Sequence, residues 1–268
     1  MTGTLGDRFV YFQRIWELRY FWFSLVRNDL NNRYKRSFLG IGWSLLKPLS
    51  MTAVYCVVFA KLLNVPVAEY APFVLLGMTT WQFFTECLLQ GAFSFSLGSA
   101  YIRQQQVPLA IFPLRTAIGS GFHSLVALAV GLAVTLFFTG SLQPLGLLYL
   151  IPAMLVLFVF GWSLAIVSGV MYTHFPDTRH LLEVVLQILF YMTPIVLRPA
   201  SIPERSRLTL LLEWNPMASV LSLVRTPILE GTAPPLHHVQ ISLIVVAVVT
   251  VVAIMLLRKL ERNLIFWI

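Results

Sequence analysis

The sequence predicts an all-α, polytopic integral membrane protein with six transmembrane helices. Three observations lead there. Of the 268 residues 58% are hydrophobic and only 11% charged, and mean hydropathy is +0.80. A soluble domain carries roughly 25% charged residues, so this chain has too little polar surface to solvate a globule. Several apolar runs have the length that crosses a bilayer. The last of them, VQISLIVVAVVTVVAIMLL at 239–257, is rich in β-branched residues that in water would favour a strand. In lipid only a helix or a closed barrel satisfies the backbone, and an uninterrupted run of 19 residues fits a helix.

The elements follow in order along one transmembrane domain, 1–268. The first is an amphipathic helix over 8–36, lying in the headgroup plane. At about 100° per residue, Phe12, Trp16, Phe23, Val26, Leu30 and Tyr34 share one face, interrupted by Arg19. Arg14, Glu17, Asn28, Asn32 and Lys35 share the opposite one. Residues 40–197 then hold five spans: 48–64 (starting as early as 40), 73–97, 115–138, 145–172 and 181–197. Gly40 and Gly42 let the chain bend sharply between the basic cluster and the first span. The fifth span is short and broken by Pro194 in YMTPIV. It leads into 198–238, whose RSRLTLLLEW and ASVLSLVRTPILEG are too short to cross and too apolar to be free loops. These read as re-entrant helices on the extracytoplasmic side. The sixth span, 239–257, and a tail, 258–268, complete the chain.

Charge placement gives an orientation. With six spans both termini lie on one side, and 14 of the 19 Lys and Arg residues fall there: eight in 1–47, two in 98–115, one in 173–180 and three in 258–268. Lys61, Arg198, Arg205, Arg207 and Arg225 fall opposite. The positive-inside bias makes the termini cytoplasmic. It also accounts for most of the net charge of +8 without nucleic acid. Cys56 and Cys87 lie within apolar runs and form no framework or metal pair. The first 40 residues are too charged for a cleavable signal peptide. No inverted repeat is visible, which counts against a secondary transporter.

Catalytic candidates are few. No Ser/His/Asp arrangement, HExxH or paired-carboxylate spacing is present. Lys35, Lys47, Lys61 and Lys259 all lack the preceding glycine of a P-loop, so any ATP must be bound by another polypeptide. Polar groups inside spans are therefore the suspects. Glu86 sits mid-span with Gln82 and Gln90 one turn either side. That stripe either lines a hydrophilic path or holds helices together by hydrogen bonds. His123 stands beside Ser120 and Ser124 and reads as satisfied by those hydroxyls rather than as a proton relay. Gly161, Ala165 and Gly169 recur every four residues, a spacing for close helix packing. Trp43, Trp214 and Trp267 sit where interfacial belts place aromatics. Tyr55, Phe59, Phe83, Phe84, Phe190 and Tyr191 lie deeper. Aromatics beside Gln and Glu suit a carbohydrate path, since a sugar stacks its ring face and needs partners for its hydroxyls; ordinary packing is the plainer reading for each alone.

The stretch NDLNNRYKRSFLGIGWSLLKPL resembles the N-terminal signature of ABC type-2 permeases that export bacterial polysaccharides. That signature is an acidic residue, RY with a basic cluster, S-x-LG-x-x-W and Pro-Leu. Here these are Asp29, Arg33-Tyr34, Lys35-Arg36, Ser37, Leu39-Gly40, Trp43 and Pro48-Leu49. YIRQQQVPLAIFPLRTA at 101–117 is similar to the family's loop between spans two and three, but has Gln104 for the usual Lys and Val107-Pro108 for Phe-Pro. HFPDTRHLLEVVLQILFYMTPIVL resembles the entry to span five, with HFPD where an Arg-Asp pair is usual. IPERSRLTLLLEWNPMASVLSLVR and ERNLIFWI match its P-E and N-P pattern and its basic-aromatic end.

The resemblance implies a homodimer in the bacterial inner membrane, with two copies of a separate nucleotide-binding ATPase subunit on the cytoplasmic face. Lipid-linked polysaccharide would pass between the permease copies. This chain would bind no cofactor, ATP and Mg belonging to the partner subunit, and would meet membrane lipids but no nucleic acid. Arg33, Tyr34, Lys35 and Arg36, with Arg103, Gln104, Pro108, Phe112 and Pro113 of the 101–115 loop, would couple to the ATPase. Tyr55, Phe59, Gln82, Phe83, Glu86, Phe190 and Tyr191 would line the path. A drug or lipid permease of the same fold is the near alternative, and the RY-basic cluster before S-x-LG-x-x-W favours polysaccharide. A membrane enzyme acting on lipid-linked sugars would need acidic or metal-binding loop residues, and the cytoplasmic loops offer only isolated ones such as Asp177.

Overall fold

A computed structural model describes residues 5–35, 37–104, 107–197 and 215–263, and every regular element among them is helical. Helices α1 (Leu5–Glu17) and α2 (Arg19–Tyr34) form the N-terminal segment. The expected single helix is interrupted at Leu18, and its expected apolar face is divided. Val26 is buried with Ile15 and Leu25, whereas Trp16 and Phe23 are 65% and 60% exposed. On α2 the buried stripe lies roughly a quarter of a turn round from the expected one. Apolar residues occupy most of this segment's circumference, so packing rather than periodicity selects the inward face. Outward, the Arg19 guanidinium lies over the Trp16 and Tyr20 rings, 5.8 and 4.8 Å from their centroids.

An elbow follows. Gly40 has φ +51°, a left-handed conformation that a Cβ disfavours, and the Gly40 N–H donates to Ser37 Oγ at 3.2 Å. Gly42 begins α3 (Gly42–Tyr55), which runs on through a π-helical turn to Ala60. Then come α4 (Val67–Gly91), α5 (Ser94–Gln104), α6 (Ile111–Thr139), α7 (Pro144–His174) and α8 (Thr178–Met192). The last two are α9 (Pro216–Leu229) and α10 (Leu236–Asn263).

Among the described residues four helices are long and apolar enough to cross a bilayer: Gly42–Ala60, Ile111–Thr139, Pro144–His174 and Leu236–Glu261. They stand where spans one, three, four and six are expected. The second expected span, 73–97, joins two elements that the structure separates. Helix α4 stops at Gly91, and α5 starts after a two-residue turn. At the break the chain packs closely on α7: a Cβ on Gly91 would lie 2.6 Å from the Ala165 Cα. Apolar composition continues through Phe93 and Phe95, so it does not mark this end.

Helix α4 is largely enclosed. Its Leu76, Phe83, Phe84 and Cys87 pack with α6, α7, α9 and α10 in one core, and its Trp81 meets α8 and α9 in another. The Gly161–Ala165–Gly169 stripe does pack closely, since a Cβ on Gly161 would sit 2.5 Å from the Phe83 ring. At the end carrying the termini, Ile15 and Leu25 meet Phe95, Phe112, Ile166 and Leu257 in a further core.

Helix α8 spans only 15 residues and ends where several carbonyls lose their helical partners. Three side chains collect them. Asn215 Nδ2 donates to Met192 O at 3.0 Å, and Tyr70 Oη donates to Val196 O at 3.1 Å. Arg225 donates to Pro194 O and Ile195 O at 2.5 and 2.8 Å, and to Phe73 O of α4 at 3.2 Å. Asn215 also caps α9, its Oδ1 accepting from Met217 N at 2.9 Å. Helix α9 coincides with the expected ASVLSLVRTPILEG segment; RSRLTLLLEW lies outside the described residues.

Candidate functional site at the helix elbow

The polar residues of greatest interest meet where α2 ends and α3 begins. Arg33, on the last turn of α2, places Nη2 3.3 Å from Glu86 Oε1 of α4. Gln82 Nε2, one turn away on α4, donates to the same oxygen at 3.2 Å. The Glu86 side chain is 14% exposed and that of Arg33 46%, so the pair sits at the edge of the bundle. Gln90, the third member of the stripe, is exposed.

Next to this pair Tyr34 turns inward. Its Oη shares hydrogen bonds with Ser44 Oγ at 2.7 Å and His123 Nδ1 at 2.9 Å, and Ser44 Oγ lies 3.2 Å from the same nitrogen. The Tyr34 and His123 rings meet edge to face at 5.5 Å. His123 is thus satisfied by hydroxyls, as its surroundings suggest, but by those of α2 and α3 rather than its own helix. One turn back, Asp29 of α2 forms a two-pronged ion pair with Arg115 of α6.

These pairings define a direction. From Asp29 to Tyr34, α2 advances about 7.5 Å, while from Arg115 to His123, α6 advances about 12 Å. Both run the same way, so α2 climbs the side of α6 as it approaches the elbow. Carboxylates and cations alternate between helices here, and their groups satisfy one another. Such a set joins helices and can exchange partners as they move.

The other expected coupling residues divide. Lys35 is exposed, and Arg36 lies outside the described residues. Arg103 and Gln104 are exposed at the end of α5. Pro108, Phe112 and Pro113 are buried, so they face the bundle and not a docking subunit. Phe112 instead seats α5: a Cβ on Gly98 would lie 2.4 Å from its ring.

The expected path residues divide as well. Tyr55 and Phe59 form a ring pair at 5.9 Å on α3, and Phe190 and Tyr191 one at 5.4 Å on α8. Tyr191 is 71% exposed. Phe83 is 5% exposed and packs on Gly161, Phe84 and Cys87, because it faces α7 while Glu86 faces the end of α2. Nothing in the sequence marks Arg225, Tyr11 or Glu261 as site residues. Their partners are 99 to 250 residues away or on backbone carbonyls, and no local spacing announces such contacts.

Comparison with known proteins bears on this geometry. The ABC-2 type transporter family matches residues 20–229. Two O-antigen export system permease proteins, both RfbA of Klebsiella pneumoniae, are 29% and 28% identical to the chain over 242 residues. Each alignment covers 88% of this chain and 90% of the relative. The RfbA permease of Myxococcus xanthus is 23% identical over 223 residues, covering 83% of this chain and 85% of its own.

Proposed function

This chain belongs to the ABC-2 type transporter family, and we propose that it is the membrane subunit of an ATP-driven exporter of a lipid-linked polysaccharide. The observation that carries the reading is similarity to O-antigen export permeases along 88% of the chain and 90% of each relative. The sequence has no P-loop, which supports the reading that ATP and Mg belong to a separate subunit. Two permease copies and two ATPase copies would form the working unit in a bacterial inner membrane, termini on the cytoplasmic side. In this reading α4 and α8 provide spans two and five, and α9 belongs to a re-entrant segment before the last span.

The elbow supports a division of labour. Arg103 and Gln104, with Tyr101, offer exposed groups to an ATPase at the end carrying the termini, and Lys35 is exposed at the elbow. Arg33 and Tyr34 are already engaged with α4, α3 and α6, so they act as relays behind that surface. Glu86, Gln82, Tyr55, Phe59, Phe190 and Tyr191 remain the candidates for the path, the aromatics stacking on sugar rings and the polar groups meeting hydroxyls.

Deletion of the gene in its own organism tests the function. Lipid-linked polymer then accumulates on the cytoplasmic side and the surface polysaccharide is lost. Surface polysaccharide at the parental level would overturn the reading, and loss of resistance to a drug instead would favour the drug-permease alternative.

A further inference from the structure

The start of α6 is held by three distant parts of the chain. A helix begins with backbone N–H groups that have no partner in the helix. At α6 no local side chain caps them. Ile111 N and Phe112 N bond back to Pro108 O and Leu109 O at 3.1 and 3.2 Å. The N–H groups of the turn just before, Leu109 and Ala110, reach distant side chains. Leu109 N donates to Glu261 Oε1 at 3.3 Å, and Ala110 N donates to Tyr11 Oη at 3.3 Å. Tyr11 Oη in turn donates to Glu261 Oε1 at 2.6 Å. Burial, then the Glu261 charge, holds the Tyr11 phenol well above its usual range, so Tyr11 remains the donor. On the other side Trp162 Nε1 of α7 donates to Ala110 O at 3.3 Å. A carboxylate at this position also complements the positive end of the helix dipole.

What lies on each side of this clasp gives it a use. Leu109 and Ala110 follow α5 closely, and Phe112 locks against Gly98 of α5. A displacement of α5 therefore reaches the first turn of α6. Glu261 lies near the end of α10, which is bonded along its length. Thr250 Oγ1 meets Ser163 Oγ of α7 at 2.9 Å, and His238 Nδ1 meets Ser219 Oγ of α9 at 2.9 Å. Helix α10 thus connects the α5 end of the molecule to the buried helix α9 at the other.

We propose that Glu261, bridged by Tyr11, is a positioning residue that passes movement of the α5 segment into α10 and so to α9. This rests on reading the 101–115 segment as the one that meets the ATPase. The clasp is neither a catalytic nor a substrate-binding group; it fixes the register between two helices that must move together.

The test uses the full complex of this chain with its ATPase subunit, reconstituted in vesicles with lipid-linked polysaccharide. Tyr11→Phe removes one hydroxyl, and Glu261→Gln keeps shape and an acceptor oxygen but removes the charge. The quantity read is polymer exported per ATP hydrolysed, at matched amounts of assembled complex, with the KM for ATP measured alongside. Each variant lowers the ratio by about fivefold or more with KM unchanged, and the double variant is no worse than the more affected single one. A merely structural role lowers the yield or melting temperature of the complex and leaves the ratio alone. The wild-type ratio in both variants overturns the proposal. If Glu261→Gln does not assemble, Tyr11→Phe carries the test. A wild-type complex that hydrolyses ATP but moves no polymer removes the exporter reading, and the clasp with it.

Discussion

Arg33 and Glu86 come from motifs of different character, a basic cluster before the first span and a lone carboxylate within an apolar run. Their contact at 3.3 Å makes them one feature. Because Arg33 is nearly half exposed, the pair contributes about 1 kcal/mol or less to stability. Its value lies in fixing the end of α2 against α4. Arg33→Glu places two like charges together and should lower export strongly at normal membrane levels. Arg33→Glu combined with Glu86→Arg should recover a large part, read as surface polysaccharide. Normal export by Arg33→Glu alone would reduce the cluster to a topology signal. The polar character of Glu86 was legible because a carboxylate in a span is costly. That it lines a path or holds helices together are two readings the sequence leaves open; the Arg33 bond joins α2 to α4, whereas the Gln82 bond lies within α4.

Among the elements, α8 and α9 depend on a single buried side chain. Arg225 is 7% exposed, its guanidinium stacks 3.7 Å from the Phe73 centroid, and it donates to carbonyls of α4 and of the turn after α8. Space for it is left by Gly77, where a Cβ would lie 1.9 Å from Arg225 Nη2. Gly77→Ala should therefore displace the guanidinium and cost more than about 2 kcal/mol, as lost hydrogen bonds to a charged group do. Gly119→Ala is the control, because a Cβ there meets nothing within 4 Å. Thermal unfolding of the purified protein followed by tryptophan fluorescence compares them; equal melting temperatures would show that Arg225 has room to move. The sequence shows a short fifth span broken at Pro194. It places Arg225 only as one of five cations on the far side. Which carbonyls it serves depends on α4 and α9 being brought to either side of it.

For the whole molecule, one chain leaves apolar surface uncovered on most of its helices, α3 and α8 among them. Helix α3 with its π-helical turn exposes Val54, Val57 and Val58, and α8 exposes Leu181, Val184, Ile188 and Tyr191. In the proposed assembly lipid and a second copy divide this surface. Native mass spectrometry of the detergent-purified protein should give two copies. The chain alone should hydrolyse no ATP, and hydrolysis should appear only with the ATPase subunit bound. A monomer that remains monomeric with the ATPase present would rule out the paired arrangement.

Composition established that this chain belongs in a membrane, and its uninterrupted apolar runs located four of its long helices to within several residues. Those are properties of segments: transfer into lipid depends on which residues a run contains, and a helix in lipid closes its own backbone hydrogen bonds. The end of α4 at Gly91, the inward face of α2 and the inward turn of Phe83 are different in kind. Each is met by a neighbour arriving from elsewhere in the chain, Ala165 beside Gly91, Phe95 and Phe112 among those meeting Leu25, and Gly161 against Phe83. The same holds for Tyr34 with His123 and for Tyr11 with Glu261, pairs 89 and 250 residues apart. A lone polar residue in a sequence shows that a partner is needed; only packing brings a particular one within hydrogen-bond reach.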